Sequence, residues 1–266
     1  MTKIQLGGMA LRDGVLLQSE RFWAAAVRAP GGGVEVASGR KVMLPGRDVL
    51  LKVPVLRGLV RLGESVAVLP AVRRATGAPV LPQEEPRLLA ATAASAAAGV
   101  ALRRLPWGPP VVREAAVAGV TLVPVLMALR DSDLARYHGA EHKSVAAYES
   151  GAEAGAAARE HLRCGTNLVA PLLLTNFAGS LLLHGAGRSR KPLATFVAGL
   201  VSIGTAMELF AWMARHRDHP FARLLQRPGL ELQRLVTTSE PTDEQLDVAQ
   251  VALEELLRLE EAAAPV

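Results

Sequence analysis

The stretch RYHGAEHKSVAAYE, Arg136–Glu149, sets two histidines four residues apart with a glutamate directly before the second. On a helix His138, Glu141 and His142 share one face, because residues three and four apart are neighbours. Two imidazoles one turn apart can hold one divalent ion, zinc first among the candidates, and the carboxylate between them can act as base toward an activated water. The spacing H-x-x-E-H is that of the inverted zincins. It is also short, and a solvated polar helix face satisfies it equally well. Glu149 continues the same stripe but stands roughly 10 Å beyond His142 at about 1.5 Å per residue. An unbroken helix therefore keeps it from the same ion.

Further ligands must come from elsewhere in the chain. EHLRCGT supplies His161 and Cys164 after a Gly/Ala-rich connector able to fold back, and imidazole and thiolate both suit zinc or iron. A single cysteine is more often an inert buried residue. The nearby His161 and Arg163 would favour its thiolate. Glu208 is a second anomaly, a carboxylate inside the apolar GLVSIGTAMELFAWM, where it either faces a partner or cavity or snorkels to an interface.

These residues need elements to hold them. Half of the 266 residues are hydrophobic but only 4% are aromatic, so the apolar material is mostly Ala, Leu and Val, which predicts a mainly α protein. Four stretches are nearly free of charge: 88–102, 115–129, 168–187 and 192–214. The last two approach the length of a membrane span, while the first two are short and Ala-rich. The expectation is a multi-pass helical membrane protein with about four hydrophobic helices in two hairpins, joined by RRLPWGPPVVRE and GRSRK. A soluble bundle with unusually apolar helices is the alternative.

The organisation expected is a β-containing N-terminal cytoplasmic region (1–87), a first hydrophobic hairpin (88–129), the His/Glu/Cys segment (130–167), a second hairpin (168–214) and a C-terminal cytoplasmic helical region (215–266). In the first, FWAAAVRAPGGGVEVASG reads as a β-hairpin around its glycines. In the last, Thr242 and Gln245 form a capping box before an apolar stripe of Leu246, Ala249, Leu253, Leu256 and Leu257. The N-terminus lacks the apolar run of a cleaved signal peptide, and the lone cysteine forms no internal disulfide. The net charge of +5 comes without a nucleic-acid-reading motif. Membrane lipid is therefore the expected partner and nucleic acid is not. With four spans, the excess of Arg and Lys puts both termini and segment 130–167 on the cytoplasmic side of the cell membrane.

Read in order, GGMALRDGV, KVPVLRGL, YHGAEHKSVAAYE, HLRCGT and PGLELQRLVTTSEPTDEQLDVA resemble the successive motifs of the YqhQ-like family of bacterial membrane proteins. Met9, Asp13 and Leu162 depart from its usual Gln, Glu and Pro. The resemblance implies a multi-pass membrane protein labelled metal-dependent but without an assigned reaction. It carries over His138, Glu141, His142, Glu149, His161, Arg163, Cys164 and Glu208 as the polar positions.

Two functions follow as expectations. One is a metal-dependent hydrolase at the cytoplasmic membrane face, with Glu141 as base and His138, His142, His161 and Cys164 as ligands, acting on an unknown substrate. Glu149, Arg163 and Glu208 are further candidates. The other is a transporter, channel or scaffold in which the same residues form a structural metal site.

Overall fold

Short strands separated by tight turns open the chain. In the computed structural model, which describes residues 3–29, 31–80, 86–128, 132–187 and 191–263, they form an antiparallel meander of β1 (Gly7–Leu11), β2 (Gly14–Gln18), β3 (Phe22–Arg28) and β4 (Val34–Arg40). The expected hairpin is β3–β4, with Phe22 opposite Arg40 and Arg28 opposite Val34. Its turn uses Gly32 and Gly33 at φ of 88° and 84°, a region that glycine enters without a Cβ penalty.

Helices follow in the order α1 (Arg47–Leu50), α2 (Leu56–Val66), α3 (Leu69–Thr76), α4 (Pro86–Arg104), α5 (Pro110–Ala128), α6 (Ser132–Ser150), α7 (Val169–Gly185), α8 (Pro192–Arg215), α9 (Pro220–Leu232) and α10 (Asp243–Ala262). The sheet is covered on both faces. Val15, Leu17, Ala24 and Ala26 meet α6 and α10 on one side, and Leu16, Trp23 and Ala25 meet α3 on the other. This double burial explains why FWAAAVR shows no alternation, since a strand covered on both faces reads as a continuous apolar run. Helix α10 starts at the capping box read from Thr242 and Gln245, and it buries Ala249, Leu253 and Leu256 against the sheet. Elements far apart in the chain thus form one body. The sheet of region 1–87 packs on α6 from segment 130–167 and on α10 from 215–266.

The expectation of about four membrane-crossing helices is overturned. Among the described residues two stretches are long and apolar enough to cross, Gly165–Gly185, which contains α7, and α8. Helices α4 and α5 do pair as a hairpin, with the Ser95 hydroxyl donating to the Val120 carbonyl at 2.6 Å. They fail on length between charges. Arg87 and Arg103 bracket the Ala-rich middle of α4, and Arg113 and Glu114 sit near the start of α5. What remains is roughly 15 residues each, about 22 Å of helix against a hydrocarbon core of about 30 Å. By contrast α7 and α8 turn bare apolar surface outward, with Leu182, Leu193 and Phe196 at 75%, 74% and 64% exposure. Between them Thr175 and Ser202 exchange hydroxyl-to-carbonyl hydrogen bonds of 3.0 and 3.1 Å. Such exchange joins helices where apolar contact alone gives little specificity. Arg130 and most of the GRSRK turn lie outside the described residues.

Two glycine contacts fix how the body meets its helices. Gly204 of α8 leaves room for Val55, whose φ of 72° is unusual for a β-branched residue, and Gly58 of α2 leaves room for Met207. On the other side of the body, Gly8 of β1 lies directly over Glu141 of α6. A Cβ there would overlap the carboxylate and come within 2.6 Å of Glu141 Cγ, whereas a Cβ on Gly7 would meet nothing within 4 Å. Overpacking of this kind costs about 1–3 kcal/mol. Gly8→Ala should therefore lower the thermal unfolding midpoint by several degrees, and Gly7→Ala should leave it unchanged. Equal midpoints for the two variants would contradict the packing of β1 on α6.

Candidate metal centre

Helix α6 brings His138 and His142 to one inner face, with ring centroids 4.4 Å apart and planes 61° apart. Its other motif residues hold it there. Ala140, fully buried, packs toward the sheet. Gly139 allows the chain at Ser239–Pro241 to lie flush on the helix, because any Cβ would strike the Ser239 carbonyl. The amide of Ser239 donates to the Ala135 carbonyl at 2.9 Å and completes this junction.

Backbone carbonyls set both imidazoles. His138 Nδ1 stands 2.8 Å from the Thr237 carbonyl, and His142 Nδ1 stands 2.5 Å from the Arg159 carbonyl. A carbonyl can only accept, so each Nδ1 carries the proton and each Nε2 keeps its lone pair. Cys164 Sγ lies 3.3 Å from His138 Nε2 and accepts a hydrogen bond from the Thr166 hydroxyl at 3.2 Å. The ligand atoms of His138, His142 and Cys164 all lie within 4.8 Å of one another. Two imidazoles and a sulfur form a donor set suited to zinc.

Burial governs the charges. Desolvation, followed by the nearby His138, lowers the His142 pKa well below its ordinary value, which keeps the ring neutral and ligating. Glu141, with Oε2 3.5 Å from His142 Nε2, is pushed up to about 8 by burial, which the neighbouring His138 partly offsets. Burial also raises the Cys164 thiol against the lowering effect of Thr166. The basic neighbours expected to favour its thiolate do not reach it. A thiol so placed is set up to lose its proton to an ion rather than to solvent.

The other expected residues divide into two groups. His161 turns to Glu149, with Nε2 3.3 Å from Oε2, while its Nδ1 accepts from the Arg163 amide at 3.3 Å. Arg163 forms an ion pair with the same Glu149. These three residues make a charged buttress beside the centre, and His161 is outside the three-residue cluster. Desolvation, then the charge of Arg217, lowers the His161 pKa. Glu208 is elsewhere: its carboxylate accepts from Arg57 Nε at 2.6 Å and from the Val55 amide at 3.2 Å.

Several residues that hold the site carry no chemical signature in the sequence. Gln233 Oε1 accepts from the His161 amide at 2.7 Å, and Asn167 Nδ2 donates to the His161 and Leu162 carbonyls at 3.1 and 3.0 Å. Gly229 leaves room for Asn167 and the Thr166 carbonyl. Lys143, buried, donates to the Gly155 carbonyl at 2.9 Å and pairs with Glu240. A π-helical turn at Gln233–Thr237 delivers the Thr237 carbonyl to His138, a device frequent at functional sites. Gly229, Gln233 and Thr237 fall within PGLELQRLVTTSEP and Lys143 within the histidine motif, which is the one sequence signal of these roles.

Comparison with known proteins finds uncharacterised relatives. The chain is 35% identical over 130 residues to the uncharacterised protein YqhQ of Bacillus subtilis (strain 168), a match covering 47% of this chain and 41% of that protein. No solved structure matches. Residues 113–259, which contain α6, the cysteine segment, both long apolar helices and the carbonyl-bearing turn, match the family described as protein of unknown function (DUF1385). The chain belongs to that YqhQ-like family.

Proposed function

We propose that this chain is a membrane-bound, metal-dependent hydrolase whose ion is held by His138, His142 and Cys164, with Glu141 as the base. One observation carries this reading: both imidazoles give their Nδ1 protons to backbone carbonyls and turn free Nε2 atoms toward one thiol. A divalent ion there, zinc by the donor set, would supply Lewis acidity and acidify a water. Three protein ligands leave a position for substrate or water, as in catalytic rather than structural zinc sites. Glu141 flanks the cluster without belonging to it; burial holds it protonated at neutral pH, and a cation bound beside it would draw its pKa down and leave Oε2 able to take a proton from an attacking water. Thr237 and Arg159 hold the rings through their carbonyls, and the Thr166 hydroxyl steadies the sulfur.

A specific observation supports a second reading, a structural metal site in a transporter, channel or scaffold. His142 and Cys164 are buried to 2% and 8% exposure, which suits a closed site. Metal analysis and activity together separate the two. His138→Ala combined with His142→Ala should abolish stoichiometric metal in purified protein, and Cys164→Ala should lower it. Glu141→Gln should keep the metal and lose hydrolysis of ester or amide probes. Unchanged metal in the double histidine variant would refute the site. Full function in Glu141→Gln would leave a structural ion.

The α7–α8 hairpin is the proposed anchor. Its open end joins the catalytic body, where Arg159, Arg163, Arg215, Arg217 and Arg223 outnumber the basic residues of the turn, so that end is assigned to the cytoplasm. The protein should stay with the membrane fraction through a carbonate wash. A cysteine introduced at Glu254 should escape an impermeant thiol reagent in intact cells. Release by carbonate, or labelling from outside, would overturn anchor or sidedness respectively.

A further inference from the structure

Beside the metal centre lies a cleft of about 750 Å³, within the size range of small-molecule sites. Strands β1 and β2, helix α2 and the last turns of α8 surround it, and residues from seven separate parts of the chain converge there. Its lining carries eight arginine and lysine side chains against four carboxylates.

The carboxylates are already engaged. Glu260 holds Arg21, Glu20 and Glu64 hold Arg47, and Glu208 holds Arg57. Arg163 is paired with Glu149. Four cations form no direct salt bridge among the described residues: Lys41, Arg61, Arg215 and Arg217, with Glu64 and Glu20 acting on Lys41 and Glu208 on Arg215 only at longer range. Lys41 donates only to neutral oxygens, the Ser19 carbonyl and the Ser65 hydroxyl, both at 3.4 Å, and Arg217 only to the Ala214 carbonyl at 3.3 Å. Folding has gathered like charges that repel one another unless an anion joins them.

One wall of the cleft is apolar and comes from α8, through Met207, Phe210, Ala211 and Ala214. The charged floor and this wall together match a ligand with an anionic head and an apolar body. Guanidinium groups favour phosphate, whose oxygens accept paired N–H donors. The cleft also adjoins the metal centre along the chain. Gly7 in its lining precedes the Gly8 that covers Glu141, and Arg163 precedes Cys164.

We infer that this cleft binds a phosphate group, presented on a membrane amphiphile or on a soluble molecule, and thereby names the substrate class of the neighbouring centre. The inference rests on the proposed hydrolase for that last step, but binding itself does not need the metal.

The experiment uses full-length protein in phosphatidylcholine nanodiscs, with its metal content measured in the same preparation. Calorimetric titrations are made with dihexanoyl phosphatidic acid, dihexanoyl phosphatidylcholine and inorganic phosphate. Saturable binding of phosphatidic acid, at least tenfold tighter than phosphatidylcholine, is expected. If inorganic phosphate binds at least tenfold more weakly than phosphatidic acid, the amphiphile is the source; comparable affinities assign a soluble phosphate compound. Arg61→Ala with Arg217→Ala should weaken the binding at least tenfold, while Arg223→Ala, outside the lining, should not change it. Equal affinity for phosphatidylcholine, absence of binding, or affinity within twofold of wild type in the double arginine variant would overturn the inference. Binding retained in the metal-free double histidine variant supports the cleft while separating it from the hydrolase. Wild-type protein that binds phosphate but carries no stoichiometric metal would fault the enzyme reading alone.

Discussion

Two imidazoles on a buried helix face can stay neutral and point together only if each inner nitrogen finds an acceptor. In water that acceptor is free, but inside a protein an unpaired N–H costs about 1–3 kcal/mol. Here the acceptors are the carbonyls of Thr237 and Arg159. Much of the rest of the fold follows from delivering them. The π-turn at Gln233–Thr237 sets one carbonyl, and Gln233 holds the His161 segment that runs on from the other. Gly139 and Gly229 remove the side chains that would keep these strands of backbone apart.

The same logic explains why the motif residues are spread so widely. Tyr137 and Ala140 pack into the core under the sheet, Gly139 meets Ser239, Glu141 meets Gly8, and Lys143 meets Glu240. Several motifs that resemble the family are one side of a contact whose other side is another motif. GGMALRDGV meets the histidine motif through Gly8 and Glu141, and HLRCGT with the Asn167 that follows it meets PGLELQ through Gly229 and Gln233.

The sequence made the helical pairing of His138, Glu141 and His142 legible, because a period near 3.6 puts them on one face, and Cys164 could be nominated by ligand type. The α10 cap and stripe were equally plain, since capping is local chemistry. His161 and Glu208 were harder. Spacing says which residues could reach, not which partner takes them first, and Glu149 and Arg57 took these two. The carbonyl ligand-holders were invisible, as backbone atoms leave no trace in residue type. At α4 and α5 a charge-poor run overstates the span, because the flanking Arg and Glu residues cut its usable length.

The hairpin of α7 and α8 also has a role in the order of assembly. His138 and the Thr237 carbonyl are 99 residues apart in the chain. Closing a flexible loop of that length costs about 4 kcal/mol of chain entropy, from (3/2)RT ln n. The hairpin lies inside this loop and brings its own ends together through Thr175 and Ser202. Once it has formed, the loop that remains is the segments on either side, from His138 to Thr175 and from Ser202 to Thr237, and its closure costs about 0.3 kcal/mol less. Ligand geometry is thus completed last, by a C-terminal stretch that leaves the ribosome after both long apolar helices, so an unfinished chain holds the histidines but not the carbonyl that aims the first of them.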